Sequence, residues 1–356
     1  MRRVRRRSPR WIVIAVSVAL VIVVARIALP FAIHSYLNRL LLRNPQYSGQ
    51  VGDVGVALYR GAYKIRDVEI VKRGGKAPVP FLKAPLIDVS VQWGALFHGK
   101  VVGKISMQSP ELNFVAGPTE ADRQSGVAGE WKELAEKLFP TALNRFEVSD
   151  GRVHFRNFHS SPKVDVALTH FDLLAENLSD HGERKARLET RGEFVPAGHM
   201  VMHMSLDPHT DAPTFQTDLV VRDADLAEWN DFLKAYAKVD AQRGKLSLYS
   251  ELSAANGSFQ GYVKPFLADV QVIDWNEVTK QNLLSSAWEA FVQGLLTAFR
   301  NHESKDVAAR IPIAGRTVPR GEFWPALGSA LYNAFVEGLA PRLERRSATG
   351  GRTGAS

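Results

Sequence analysis

The chain has 356 residues, no cysteine and a formal net charge of +8. Absence of cysteine excludes disulfides, thiolate metal sites, lipoprotein modification and cysteine nucleophiles together, and an apolar share of 45% belongs to a folded body, not a disordered one. The charge sits at the ends: with the ten arginines and one glutamate of residues 1–10 and 341–356 set aside, 35 basic residues face 36 acidic ones, so the body carries no electrostatic footprint for nucleic acid.

Residues 1–10 hold six arginines, and an apolar run follows over 11–33, broken only by Ser17, Arg26 and Pro30. About 20 apolar residues are what a bilayer requires. The arginine cluster predicts a cytoplasmic N-terminus and places the remainder across the membrane. Trp11, Arg26 and Phe31 are the expected membrane-contacting residues, with Arg26 long enough to snorkel to the far headgroups. The competing reading is a cleaved signal peptide ending near Val23-Val24-Ala25; the apolar character continues past that point, which favours an anchor. Residues 34–50 form a connector in which Leu37, Leu40, Leu41 and Leu42 extend the helix.

From Val51 the pattern changes to a period of two. Val54, Val56, Leu58, then Ile87, Val89, Val91, Trp93, then Leu112, Phe114 alternate with polar residues such as Asp88, Ser90 and Gln92. One apolar and one wet face per segment predicts an antiparallel sheet covered on one side. Residues 117–130 read as a loop, and Trp131, Leu134, Leu138 and Phe139 predict a helix over 131–139 that Pro140 stops. Phe146, Val148, Asp150, Gly151, Val153 and Phe155 then match Ile105, Met107, Ser109, Pro110, Leu112 and Phe114 at a constant offset of 41, a strand–turn–strand unit used twice.

Further alternating segments lie at Val164–Leu168, Met200–Met204, Phe215–Val221, Leu246–Leu252 and Phe266–Val272. Between them, Leu226, Trp229, Phe232, Leu233 and Tyr236 predict an amphipathic helix over 225–239. Two more amphipathic segments, 286–299 and 323–340, flank a last strand at Val307–Ile313. The second of these either caps the sheet or lies on a membrane. The tail, 345–356, is small, basic and expected to be disordered.

Val51–Gly61, Ile65–Ile70, Phe81–Trp93, Ser109–Phe114, Gly261–Pro265 and Leu331–Phe335 together resemble the AsmA-like family, in particular its short branch whose core is labelled a domain of unknown function. The resemblance covers most of the chain. It implies a bacterial inner-membrane protein, single-pass, with a β-rich periplasmic domain over 51–344. It also implies that the sheet curls into an open trough whose lining holds acyl chains. Alternation alone fits a sandwich equally well. Ile87, Val89, Val91 and Trp93, with Met200, Met202 and Met204, are the candidate lining.

No motif for chemistry competes with that reading. Residues 94–101 nearly spell a phosphate-binding loop, but Val101 stands where a hydroxyl would hold magnesium and both flanks read as strand. His199, His203 and His209 beside the three methionines suggest Cu(I) ligands, yet in a strand His199 and His203 face away from Met200, Met202 and Met204. Recognisable hydrolase, zinc-protease and dinucleotide signatures are missing, so no catalytic residue, metal or cofactor is assigned. The expected fold is mainly β: one transmembrane helix, then an extended, curled antiparallel sheet with amphipathic helices towards the C-terminal end. The expected partners are membrane phospholipid and, since about twelve strands at about 4.8 Å give about 58 Å of trough, an envelope protein or a second copy if lipid is carried end to end. The alternative is a non-catalytic scaffold of the cell envelope with a dry core, acting through protein contacts.

Overall fold

The structure, a computed structural model, describes residues 10–91, 102–124, 142–178, 185–195, 197–207, 210, 214–237, 239–275, 306–308 and 310–316. The predicted helices at 131–139, 286–299 and 323–340 and the tail at 345–356 lie outside these residues. A single helix, α1 (Arg10–Arg43), opens the chain. The first strands are β1 (Tyr47–Gln50), β2 (Asp53–Ala57), β3 (Ala62–Lys72), β4 (Leu82–Val91), β5 (Val102–Gln108), β6 (Glu111–Ala116) and β7 (Ala142–Asn157). Then come β8 (Val164–Glu176), β9 (Ala186–Val195), β10 (His199–Asp207), β11 (Thr214–Asp225), β12 (Val239–Ala255), β13 (Ser258–Trp275), β14 (Asp306–Ala308) and β15 (Ile311–Arg316). All fifteen belong to one sheet.

The run rich in Val and Ile forms a helix long and apolar enough to cross a membrane, and a helix satisfies its own backbone hydrogen bonds as such a segment must. It continues through the connector's leucines to Arg43, as their spacing predicts, and after a short bend over 44–46 the sheet begins within the connector, at Tyr47. Leu37 and Leu41 are buried in the same apolar cluster as Ile87 and Val89. Asn38 Oδ1 accepts from the Val51 N–H at 3.0 Å and His34 Nε2 lies 3.1 Å from the Val51 carbonyl. At the helix end, Arg73 donates to the Leu42 and Asn44 carbonyls, partners those groups would otherwise lack. The sheet thus holds the last turns of α1, while Trp11, Arg26 and Phe31 stay exposed on its free length.

The sheet is antiparallel as expected, with one parallel exception. β5 and β6 both pair with β7 in parallel, Ile105 beside Phe146, Met107 beside Val148, Leu112 beside Val153 and Phe114 beside Phe155. These are the pairs related by the 41-residue offset. The two copies of the repeat are neighbours in register, and the 25 residues between β6 and β7 provide the crossover that a parallel pair needs. All other pairings are antiparallel.

Register shifts bend the strands. They fall at Val148/Gly151, Thr169/Asp172, Val221/Ala224 and Arg243/Lys245, and Asp150, His170, Asp223 and Asp269 there take left-handed backbone with φ between 46° and 57°. Aspartate tolerates that conformation better than β-branched residues, and each bulge adds bend and twist. Asp150→Val is therefore expected to cost about 1–2 kcal/mol, whereas Asp150→Gly should relieve that backbone cost; chemical denaturation of the two variants compares them.

The 225–239 segment is not one helix. Asp225 ends β11, and its Oδ1 accepts from the Ala227 N–H. A single helical turn, α2 (Asn230–Phe232), passes into a π-type turn over Leu233–Ala237. The predicted aromatic face is nevertheless used. The Tyr236 hydroxyl accepts from Asn157 Nδ2 at 2.8 Å, joining the approach to β12 with the end of β7, five strands away. On a flat sheet those strands would stand about 24 Å apart. The contact requires the sheet to curl.

Candidate functional site

The backbone registers define one apolar face across the sheet. A row runs Ile65, Ile87, Met107, Val148, Leu173, Thr190, Met202, Leu219, Ser250, Val263, each beside the next on the neighbouring strand. The adjacent row on the same face is Tyr63, Val89, Ile105, Phe146, Ala175, Leu188, Met204, Thr217, Leu252, Gly261. The two groups of candidate lining residues, around Ile87 and around Met202, are thus two stretches of one surface.

Exposure divides that surface. Ile87, Val89 and Met200 are 3%, 1% and 4% exposed, enclosed by protein in the main apolar cluster. Val91, Met202 and Met204 are half-buried, as are Leu206, Phe215, Leu219 and Leu252 on the same face of β10 to β12. Trp93 lies outside the described residues. Burial is fullest from β3 to β9, where Phe146 is only partly buried, and falls at Met202, Met204, Leu219 and Leu252, while Ser250 and Val263 are buried again. Strand β9, the last before that fall, is missing from the expected strands, although Ala186, Leu188, Thr190, Gly192 and Phe194 alternate without a break with Arg187, Glu189, Arg191 and Glu193. That alternation was the signal that could have found it.

At the boundary Thr190 is buried, and among the described residues its hydroxyl has no hydrogen-bond partner. A buried unpaired hydroxyl costs about 1–3 kcal/mol. Thr190 stands beside Met202, where burial falls.

The opposite face is wet and ion-paired. Arg191 meets Asp172 at 2.9 Å, Lys104 meets Glu147 at 3.0 Å, and His203 Nδ1 lies 3.0 Å from Asp218. His199 and His203 are on this exposed face and Met200 is buried beneath it, so the sheet separates imidazoles from thioethers; His209 lies outside the described residues. Among the described residues no group of three or more His, Asp or Glu is arranged to hold a metal.

The Asp150 backbone N–H, donating at 3.0 Å, and then Arg191 hold the Asp172 carboxyl below its ordinary range against the opposing effect of partial burial. Lys104 chiefly does the same for Glu147. Both groups bind protons more weakly folded than unfolded, so their stabilisation is present above about pH 4 and lost as pH falls through the carboxylate range. Thermal melts from pH 6 to pH 3 should show a falling midpoint, and a shallower fall in Asp172→Asn.

No protein-family model matches the chain, and no curated protein matches it.

Proposed function

We propose that the protein is a single-span, inner-membrane-anchored envelope protein of the AsmA-like kind that holds or passes phospholipid along the apolar face of its curled sheet. The observation that carries this reading is a change in burial along that face: the two ladders are buried from Ile87 and Val89 to Thr190 and Leu188, Phe146 excepted, and are only partly buried at Met202, Met204, Leu219 and Leu252. A partly exposed apolar surface in water is costly, by about 25 cal/mol per Å², and acyl chains would remove that cost. Their contacts are non-directional, so a chain could slide with small barriers. A lipid ester or a water beside Thr190 would also satisfy its hydroxyl. The long apolar helix α1 supports the membrane anchor, and the arginine-rich N-terminus supports its orientation.

The second reading, a scaffold with a dry core, is favoured by the enclosure of Ile87, Val89 and Met200. Lipid analysis separates the two. Residues 32–356, a cut that keeps His34, Leu37 and Leu41, are exported to the periplasm and isolated without detergent, and co-purifying lipid is measured by mass spectrometry. The lipid reading expects near-stoichiometric phospholipid that is lost in Met202→Asp with the fold intact. A folded, lipid-free protein would sink it and leave the scaffold.

A further inference from the structure

We propose that the corner between β2 and β3, residues Leu58–Arg60, seats in the headgroup region of the bilayer that α1 crosses, with Tyr59 as its anchor. The proposal rests on the reading of α1 as a membrane span.

Three observations lead to it. First, the helix and the corner approach the same place. Arg73, at the far end of β3, holds the C-terminal carbonyls of α1. Earlier in the helix, Asn38 Oδ1 accepts from the Val51 N–H and His34 Nε2 lies 3.1 Å from the Val51 carbonyl, just before β2. α1 packs against β1, which pairs with the Lys72 end of β3, and against β2, which pairs with the Ala62 end and leads into the corner at Leu58–Arg60. Going back along the helix from His34 towards Phe31 and forward along β2 from Val51 towards Tyr59 therefore lead the same way.

Second, Tyr59 is 81% exposed, more than Trp11 at 68% or Phe31 at 71% on the free helix. A ring this exposed that ends in a hydroxyl is suited to the membrane interface, where the body meets acyl chains and the tip meets water. Third, Arg60 beside it can turn towards a phosphate. Its contact with Asp88 is long, 3.4 Å, and Lys64 lies 3.8 Å from the same carboxylate oxygen. Release of Arg60 would leave Asp88 with a cation. The corner would then be a second attachment beside α1, fixing the tilt of the sheet over the bilayer.

The cysteine-free chain allows a direct test. Single nitroxide labels are placed by Tyr59→Cys, Phe31→Cys and Glu120→Cys in the full chain, reconstituted in nanodiscs of phosphatidylethanolamine and phosphatidylglycerol. Glu120 neighbours Lys72, at the opposite end of β3. Since the first label replaces the tyrosine, Arg60→Cys, which retains it, is measured alongside. Collision with oxygen should exceed collision with a water-soluble nickel chelate at positions 31, 59 and 60, and the order should reverse at 120. Labels at 59 and 60 as aqueous as that at 120, with Phe31 in lipid, would overturn this proposal alone. An aqueous label at Phe31 would overturn the span reading beneath it.

Discussion

Val89→Asp is expected to destabilise the protein severely. Val89 is 1% exposed, between Tyr63 and Ile105 on the inner face, and the neighbouring charged residues Lys64, Asp88 and Lys104 alternate with them on the outer face. A carboxylate there has neither water nor a cation, and an uncompensated buried charge costs about 3–5 kcal/mol. For a chain of this size that lowers the melting midpoint by on the order of 10 °C. Met202→Asp introduces the same group on the same face, but at a partly exposed site where the carboxylate can reach water. It should cost a small part of that amount. Circular-dichroism melts of the pair are the measurement. Equal losses would mean that the face is not divided into fully and partly buried stretches.

Phe232→Ala should be nearly as damaging, for a different reason. Phe232 is buried with its ring 6.4 Å from Phe155, 5.9 Å from Trp229 and 5.1 Å from Tyr236. Trp229 in turn stacks edge-on against Phe194 at 5.3 Å and donates to the Ala197 carbonyl. These residues fasten the turn before β12 to β7 and β9 and hold the curl. Truncation of a buried phenylalanine costs about 3–5 kcal/mol. The expected signature is early loss of hydrogen-exchange protection in β11 and β12 while β3 to β5 remain protected. Uniform loss across the sheet would show that the aromatic cluster adds stability without tying the two parts together. Phe232→Leu, which retains most of the volume, should recover much of the loss.

The same segment shows where sequence reasoning stops. Trp229, Phe232, Leu233 and Tyr236 have helical spacing and do pack together, so the pattern located an apolar cluster correctly. It implied a regular helix over 225–239, whereas the cluster is carried by α2 and an irregular turn. Tertiary contacts to Phe155, Phe194 and Asn157 repay the poorer local geometry. Strand β9 is the opposite case. Its alternation was present, but its Arg and Glu residues are those of a solvated edge, and only the pairing with β8 and β10 makes it a central strand.

The 41-residue repeat was legible as a repeat and not as a parallel pair, because similarity between two segments carries no information about their direction in space. Likewise, Ile87 and Val89 share a pattern with Met202 and Met204, and the registers place all four on one face.

Hydropathy and periodicity alone specify the apolar segment that became α1, the sidedness of the strands and the near-absence of charge on their inner face. Those are local properties: a hydropathy run and a period of two depend on neighbours a few residues apart. That Val89 is sealed and Met202 only partly covered follows from long-range packing. Enclosure depends on which distant segments meet, here the end of β7 and the turn before β12 through Asn157 and Tyr236. The bulges at Asp150, His170 and Asp223 set that meeting by bending a sheet whose strands would otherwise stay apart.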